Sequence, residues 1–230
     1  IIFLIFFFFV LIELSHQFRI VSPLRIKPKA FKKIVSDKVQ KHIAWIEIRN
    51  LDKKMEVMIP FFNVNPYLIG VSKDELKSIN TKVIPLHPNE DEQENDYWSA
   101  YILKSNKSTL IQVEVEFESK NTSIDNIKGL WLDIKWSNYG PFGCLTRYDG
   151  FVIPNPLKSP KHNLSITNLV EPVKTHILGT LDDPINILRS YIPKDYSPTD
   201  ILTIGESPLA IMQGNYIDYR DIIVGPIARM

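Results

Sequence analysis

The chain has 230 residues, 44% of them hydrophobic and 23% charged, and its 27 Lys and Arg against 26 Asp and Glu leave a net charge of +1. That balance argues against a dedicated nucleic-acid binder, which carries a basic surplus, and the apolar content excludes disorder for most of the chain. A single cysteine, Cys144, excludes an intrachain disulfide and any cysteine-based zinc cluster.

The first residue is Ile1 rather than Met, and Asp221–Met230 is an apolar run without a stop signal, so the sequence reads as a fragment. Ile1 to Ile12 is unbroken apolar sequence up to Glu13. A spanning helix needs about 20 such residues, and a few more upstream would complete one. Eight basic residues follow between Arg19 and Lys41, namely Arg19, Arg25, Lys27, Lys29, Lys32, Lys33, Lys38 and Lys41, against one acid, Asp37. Basic residues beside a membrane helix stay on the cytoplasmic side, and a secretory signal carries its charge before the apolar core instead. The reading is a transmembrane anchor over 1–18 and a basic juxtamembrane segment over 19–41. The chain is then a single-pass membrane protein with its bulk cytoplasmic. A cleaved signal and a buried helix are the alternatives. The basic run sets topology in this reading, and contact with anionic headgroups is a further option.

Residues 42–153 read as a β-sandwich-like domain. Ile43–Ile48 and Met55–Ile59 are strands around a turn at Asn50–Lys54, and Tyr97–Leu103 is another. The clearest signal is Thr109–Ser119, where Ile111, Val113, Val115 and Phe117 alternate with Gln112, Glu114, Glu116 and Glu118. Leu130–Trp136 alternates too, Asn138–Gly143 is a turn cluster, and Phe151–Ile153 is a short closing strand. The glutamate row reads as a solvated strand face and the acid-rich Asn89–Asp96 as a solvated loop, since it lacks the Gly of a calcium turn. His42 and His87 stand without second ligands, and Cys144 has no histidine near it in sequence.

Residues 154–172 form a Pro-rich linker. Beyond it, Val173–Leu178 is expected as a strand and Gly179–Asp183 as a turn. Asp183 then caps a helix that begins at Pro184, carries Ile185, Leu188 and Ile192 on one face with Ile187 and Tyr191 beside them, and stops at Pro193. Ile201–Ile204 is expected as a buried strand, and Ser207–Gln213 as a helical turn or strand that ends at Gly214. Strand, helix, strand opens an α/β unit.

The order VKTHIL, Asp182-Asp183, PINILRSYI, then Pro198-Thr199-Asp200-Ile201-Leu202-Thr203-Ile204 and Gly214 resembles the opening of the coenzyme F-420 gamma-glutamyl ligase family. With its apolar start and β-rich insert, the whole chain resembles the longer membrane-associated members. The resemblance implies that 173–230 is the start of a ligase-like domain. It further implies a ligase that uses GTP and Mg or Mn to activate a carboxylate as an acyl phosphate, which the amine of glutamate attacks. Residues carried over as nucleotide-facing are Thr175, His176, Ile177 and Leu178 on the first strand, and Glu206 and Ser207 after the second. The family has lysines where this chain has Ser207 and Ile211, and an isoleucine cannot replace a phosphate-binding ammonium. Metal-binding acids are implied beyond Met230, while Asp182 and Asp183 read as turn and cap.

No G-x-x-x-x-G-K-[ST] loop and no H-E-x-x-H occur, and Gly205-Glu206-Ser207-Pro208-Leu209 lacks the last Gly of a nucleophile elbow. The expected fold is mainly β with a C-terminal α/β part behind an N-terminal transmembrane helix. The expected function is a membrane-anchored, nucleotide- and metal-dependent gamma-glutamyl ligase, inactive as this fragment. The alternative is a non-catalytic membrane-anchored scaffold whose β domain binds a partner protein.

Overall fold

A computed structural model describes residues 2–17, 22–36, 39–88, 98–120, 127–140, 143–155, 172–192, 196–197, 199–222 and 224–225. The expected acidic loop at 89–96 lies outside these residues, as do most of the Pro-rich linker and Pro193.

Helix α1 spans Ile2–Gln17, and its apolar side chains from Phe3 to Leu11 are all exposed. Among the described residues no helix is long and apolar enough to cross a membrane. At about 1.5 Å per residue, α1 is roughly 24 Å long, against a hydrocarbon core of about 30 Å.

Among the described residues eight strands follow: β1 Leu24–Ser36, β2 Val39–Asn50, β3 Val57–Ile69, β4 Leu76–Leu86, β5 Tyr101–Leu103, β6 Ser108–Ser119, β7 Gly129–Gly140 and β8 Gly143–Pro154. They form two antiparallel four-stranded sheets, ordered β1-β2-β6-β4 and β5-β3-β7-β8. The expected sandwich is present. Its core comes from inward alternation on both sheets. Ala44, Ile46 and Ile48 of β2 and Ile111, Val113, Val115 and Phe117 of β6 face Val57, Ile59, Phe62 and Val64 of β3 and Leu130, Leu132, Ile134 and Trp136 of β7. A fully buried side chain of this size stabilises the fold by about 1.5–3 kcal/mol relative to an exposed one.

Several boundaries differ from the sequence reading, for identifiable reasons. The segment 19–41, expected as a juxtamembrane stretch, contains β1, which pairs with β2 from Leu24↔Asn50 to Ser36↔Val39. The sandwich therefore begins well before residue 42. Its lysines conceal it, because β1 is an edge strand that buries only Leu24 and Ile26, with Phe31 packed partly buried against the core. Strand β4 has no counterpart in the sequence reading, and β3 runs ten residues past Ile59. Pro28, Pro60, Pro66 and Pro85 all sit within strands, where a residue without an N–H argues against a central position. Each is placed to limit that cost. Pro28 and Pro85 lie on the edge strands β1 and β4. Pro60 falls in the bulge between Met58 and Phe61, and Pro66 lies on β3 beyond the stretch that β5 covers. The bulge moves the inward phase from Val57 and Ile59 to Phe62 and Val64. The expected turn at 138–143 is mostly strand: β7 runs to Gly140 and β8 starts at Gly143, twelve residues long rather than three.

Asn50–Lys54 does turn the chain, but it passes β2 of one sheet to β3 of the other. Asn50, fully buried, holds this corner. Its amide donates to the carbonyls of Met55 at 2.9 Å and Leu103 at 3.2 Å, and its Oδ1 accepts from the Asp52 amide at 3.0 Å.

The glutamate row of β6 is a solvated, ion-paired face. Lys41 meets Glu114 at 2.7 Å and Lys77 meets Glu118 at 2.9 Å, while Lys29 of β1 meets Glu47 of β2 at 2.8 Å. His42 lies on the other side of β2, inside the sandwich, 2% exposed and stacked on Phe117 with ring centroids 5.4 Å apart. Burial, with Lys33 nearby, lowers its pKa to about 4. His87 stacks on Tyr101 and shares a 2.8 Å hydrogen bond with Thr109.

Candidate functional site

After the sandwich the described chain resumes at Pro172 with two short helices, α2 Pro184–Tyr191 and α3 Glu206–Gln213. The local signals act as the sequence indicates. Asp182 closes the turn by accepting from the Gly179 amide at 2.7 Å, and Asp183 caps α2 by accepting from the Asn186 amide at 2.9 Å. Pro184 opens α2 where its missing N–H costs nothing. Gly214 ends α3 in the left-handed region at φ 69°, a conformation that favours glycine.

The expected α/β unit is not formed by the described residues. Val173–Leu178 and Ile201–Ile204 form no strand, and among the described residues they belong to neither sheet. A small core joins these segments instead: Ile187, Tyr191 and Met212 are buried against Val173, Leu178, Ile204 and Leu209. The buried stripe of α2 is thus Ile187 and Tyr191, while Ile185 is exposed.

Between the two segments lies a cavity of about 710 Å³, walled by Thr175, Leu178, Tyr191, Thr199, Asp200, Thr203 and Gly205 among others. Such a volume suits a small molecule. Two of the sequence-derived nucleotide-facing residues, Thr175 and Leu178, line it. The other four do not. Glu206 and Ser207 are exposed at the start of α3, Ile177 is half-buried, and His176 turns inward. His176 Nδ1 lies 2.5 Å from the Tyr191 hydroxyl, and its Nε2 lies 3.3 Å from Asp182 Oδ2, off the line of a hydrogen bond. The Tyr191 oxygen also accepts from the His176 amide at 3.3 Å. The network locks α2 to the 173–178 segment and fixes Tyr191 in the cavity wall. The sequence holds no signal for it, since His176 and Tyr191 are fifteen positions apart and join two elements.

The cavity's chemistry is mostly apolar with hydroxyl groups. Its charged lining residue is Asp200, and no Lys or Arg lines it among the described residues. A triphosphate needs cations or converging backbone donors to offset its charge, and the described walls supply no cation for it. Among the described residues no group of three His, Cys, Asp or Glu is arranged to hold a metal.

The chain then returns to the sandwich along the free edge of β8. Tyr216 donates to the Gly150 carbonyl at 2.7 Å, and the Tyr148 amide donates to Asp221 at 3.1 Å. Arg220 pairs with Asp133 of β7 and with Asp218 at 2.7 Å, and its guanidinium lies 4.1 Å from the centre of the Tyr148 ring. These side chains satisfy an edge that would otherwise be open to pairing. Asp149, beside them, has its pKa raised to about 6 by burial, with Asp218 and Asp221 adding to the rise.

No curated protein matches the chain. Among solved structures, the GAE domain of GGA2p from Saccharomyces cerevisiae is 14% identical, with 60% of this chain and 95% of that one covered at a TM-score of 0.32. The yeast GGA1 GAE domain is 13% identical, with 60% and 96% covered at a TM-score of 0.31. Superpositions this loose carry no argument. The model of the F420-0:gamma-glutamyl ligase N-terminal Ig-like domain matches residues 25–157. That stretch begins within β1 and closes just past β8, so it takes in both sheets and more than half of the chain. By that match the chain belongs to the F420-0:gamma-glutamyl ligase family, whose N-terminal Ig-like domain is the sandwich described above.

Proposed function

We propose that the protein serves as a membrane-anchored gamma-glutamyl ligase that forms an amide bond through an acyl phosphate, with GTP and Mg or Mn as cofactors and a glutamate-type amine as nucleophile. The observation that carries this reading is the family match over residues 25–157. A carboxylate is a poor electrophile until one oxygen becomes a phosphate leaving group, and this gives a ligase its need for nucleotide and metal. The walls of the 710 Å³ cavity lack the cations for phosphate, so activity is assigned to the full-length protein rather than to these residues alone. Exposed apolar side chains along α1 support membrane association, with the bulk of the chain cytoplasmic.

The same shortage of cations favours a second reading: a membrane-anchored scaffold whose sandwich binds a partner protein. Calorimetric titration of the full-length protein with GTP, in Mg and then in Mn, separates the two. The ligase reading expects saturable heat with either metal. Absence of heat at millimolar nucleotide overturns it and leaves the scaffold.

A further inference from the structure

We infer that the β1 side of the sandwich docks on an anionic lipid surface through Arg25, Lys27 and Lys32; this rests on the membrane association proposed above and names the surface and the residues. In sequence the basic residues of 19–41 are equivalent, but the structure sorts them. Lys29 is held by Glu47 at 2.8 Å, Lys41 by Glu114 at 2.7 Å, and Lys33 donates to Asn155 at 3.1 Å. Arg25, Lys27 and Lys32 are exposed, with no acidic partner among the described residues.

The bulge in β1 gathers these three. Plain alternation would send Lys32 to the face opposite Arg25 and Lys27. The register shift between Pro28 and Ala30 changes the phase, so that Arg25 pairs with Arg49, Lys27 with Glu47 and Lys32 with Ile43. Those partners are on one face of β2, the face that Ala44, Ile46 and Ile48 leave for solvent. The cations thus form one outward row on an edge strand. Across the sheet, two strands away and about 10 Å from β1, β6 presents Glu114, Glu116 and Glu118 on that face, with Lys41 and Lys77 offsetting Glu114 and Glu118. That separation is close to the screening length at physiological salt. An anionic surface therefore attracts the β1 edge, where the cations without an acidic partner among the described residues lie.

Placement makes the contact reachable. The seven steps from Gln17, the end of α1, to Leu24 span at most about 25 Å. An apolar helix in the lipid keeps Leu24, where the basic row begins, within that distance of the helix end. Each basic residue close to such a surface adds a roughly fivefold preference, so the three together give on the order of a hundredfold.

The test is flotation of the full chain with vesicles of phosphatidylcholine alone and of phosphatidylcholine mixed with phosphatidylserine, at low and high salt. The inference expects tighter partition onto the anionic vesicles and loss of that preference in high salt. It further expects Arg25→Gln/Lys27→Gln/Lys32→Gln to abolish the preference, while the charge-balanced pair Lys29→Gln/Glu47→Gln leaves it intact. Equal partition of the wild type onto both vesicles overturns the inference but spares membrane association. Failure to float with either vesicle overturns both. The salt comparison on the wild type stands even if the triple variant does not fold.

Discussion

His42 is a polar side chain sealed in an apolar core, and it makes stability depend on pH. Its folded pKa is about 4 against an ordinary 6.5, so the unfolded chain takes up the proton first. Stability from this residue is complete above pH 6.5 and is lost as pH falls toward 4, by up to roughly 3 kcal/mol. His87, also lowered to about 4 by burial, acts in the same direction. Asp149 opposes them. Its carboxyl is raised from 3.8 to about 6, so it contributes most below pH 3.8 and that contribution is lost as pH rises through about 6. Two groups outweigh one, and the urea midpoint should fall on acidification from pH 6.5 to 4. His42→Leu should flatten that slope, and an unchanged slope would refute this account. Asn50 carries a different prediction: Asn50→Ala leaves the Met55 and Leu103 carbonyls short of a donor at a buried corner, and should cost about 2–4 kcal/mol in denaturant unfolding. At this scale the sequence was only partly readable. Asp183 and Gly214 were legible because a cap and a left-handed stop are local. The roles of His42, Asn50 and Tyr191 depend on neighbours brought in by the fold.

Strands were legible where they are central and interrupted by nothing. β6 and β7 alternate cleanly because each packs one face on the core and has a neighbour on both sides. β1, β3 and β4 carry prolines and bulges, which break the period from which a strand is recognised. Val173–Leu178 has the residues of a strand but no ladder among the described residues, and a pattern of apolar residues cannot supply one. Close approach of elements yields two tests. A Cβ on Gly150 would fall 2.1 Å from the Trp131 ring, so Gly150→Ala should displace the indole and lower the melting temperature. Unchanged melting and Trp fluorescence would mean the ring has room to move. Arg220→Ala removes the clamp between the returning segment and β7. Because the pair is partly solvated, its loss should cost only about 1 kcal/mol globally, but it should speed amide exchange at Tyr148, the donor to Asp221.

For the whole molecule, the sandwich carries the family match, and the 172–225 region holds the cavity. Among its described residues that region has a small core, and Ile201, Ile217 and Tyr219 remain 89%, 74% and 79% exposed. Its cavity has apolar walls, hydroxyls and a fixed tyrosine, so it can hold the uncharged part of a ligand more readily than the phosphates. The direct test is amide hydrogen exchange on the full-length protein with and without GTP and Mg. The account predicts slower exchange in 173–178 and 199–205, the two walls of the cavity, with β6 and β7 unaffected. Equal rates in those walls, under nucleotide that calorimetry shows to be bound, would contradict it.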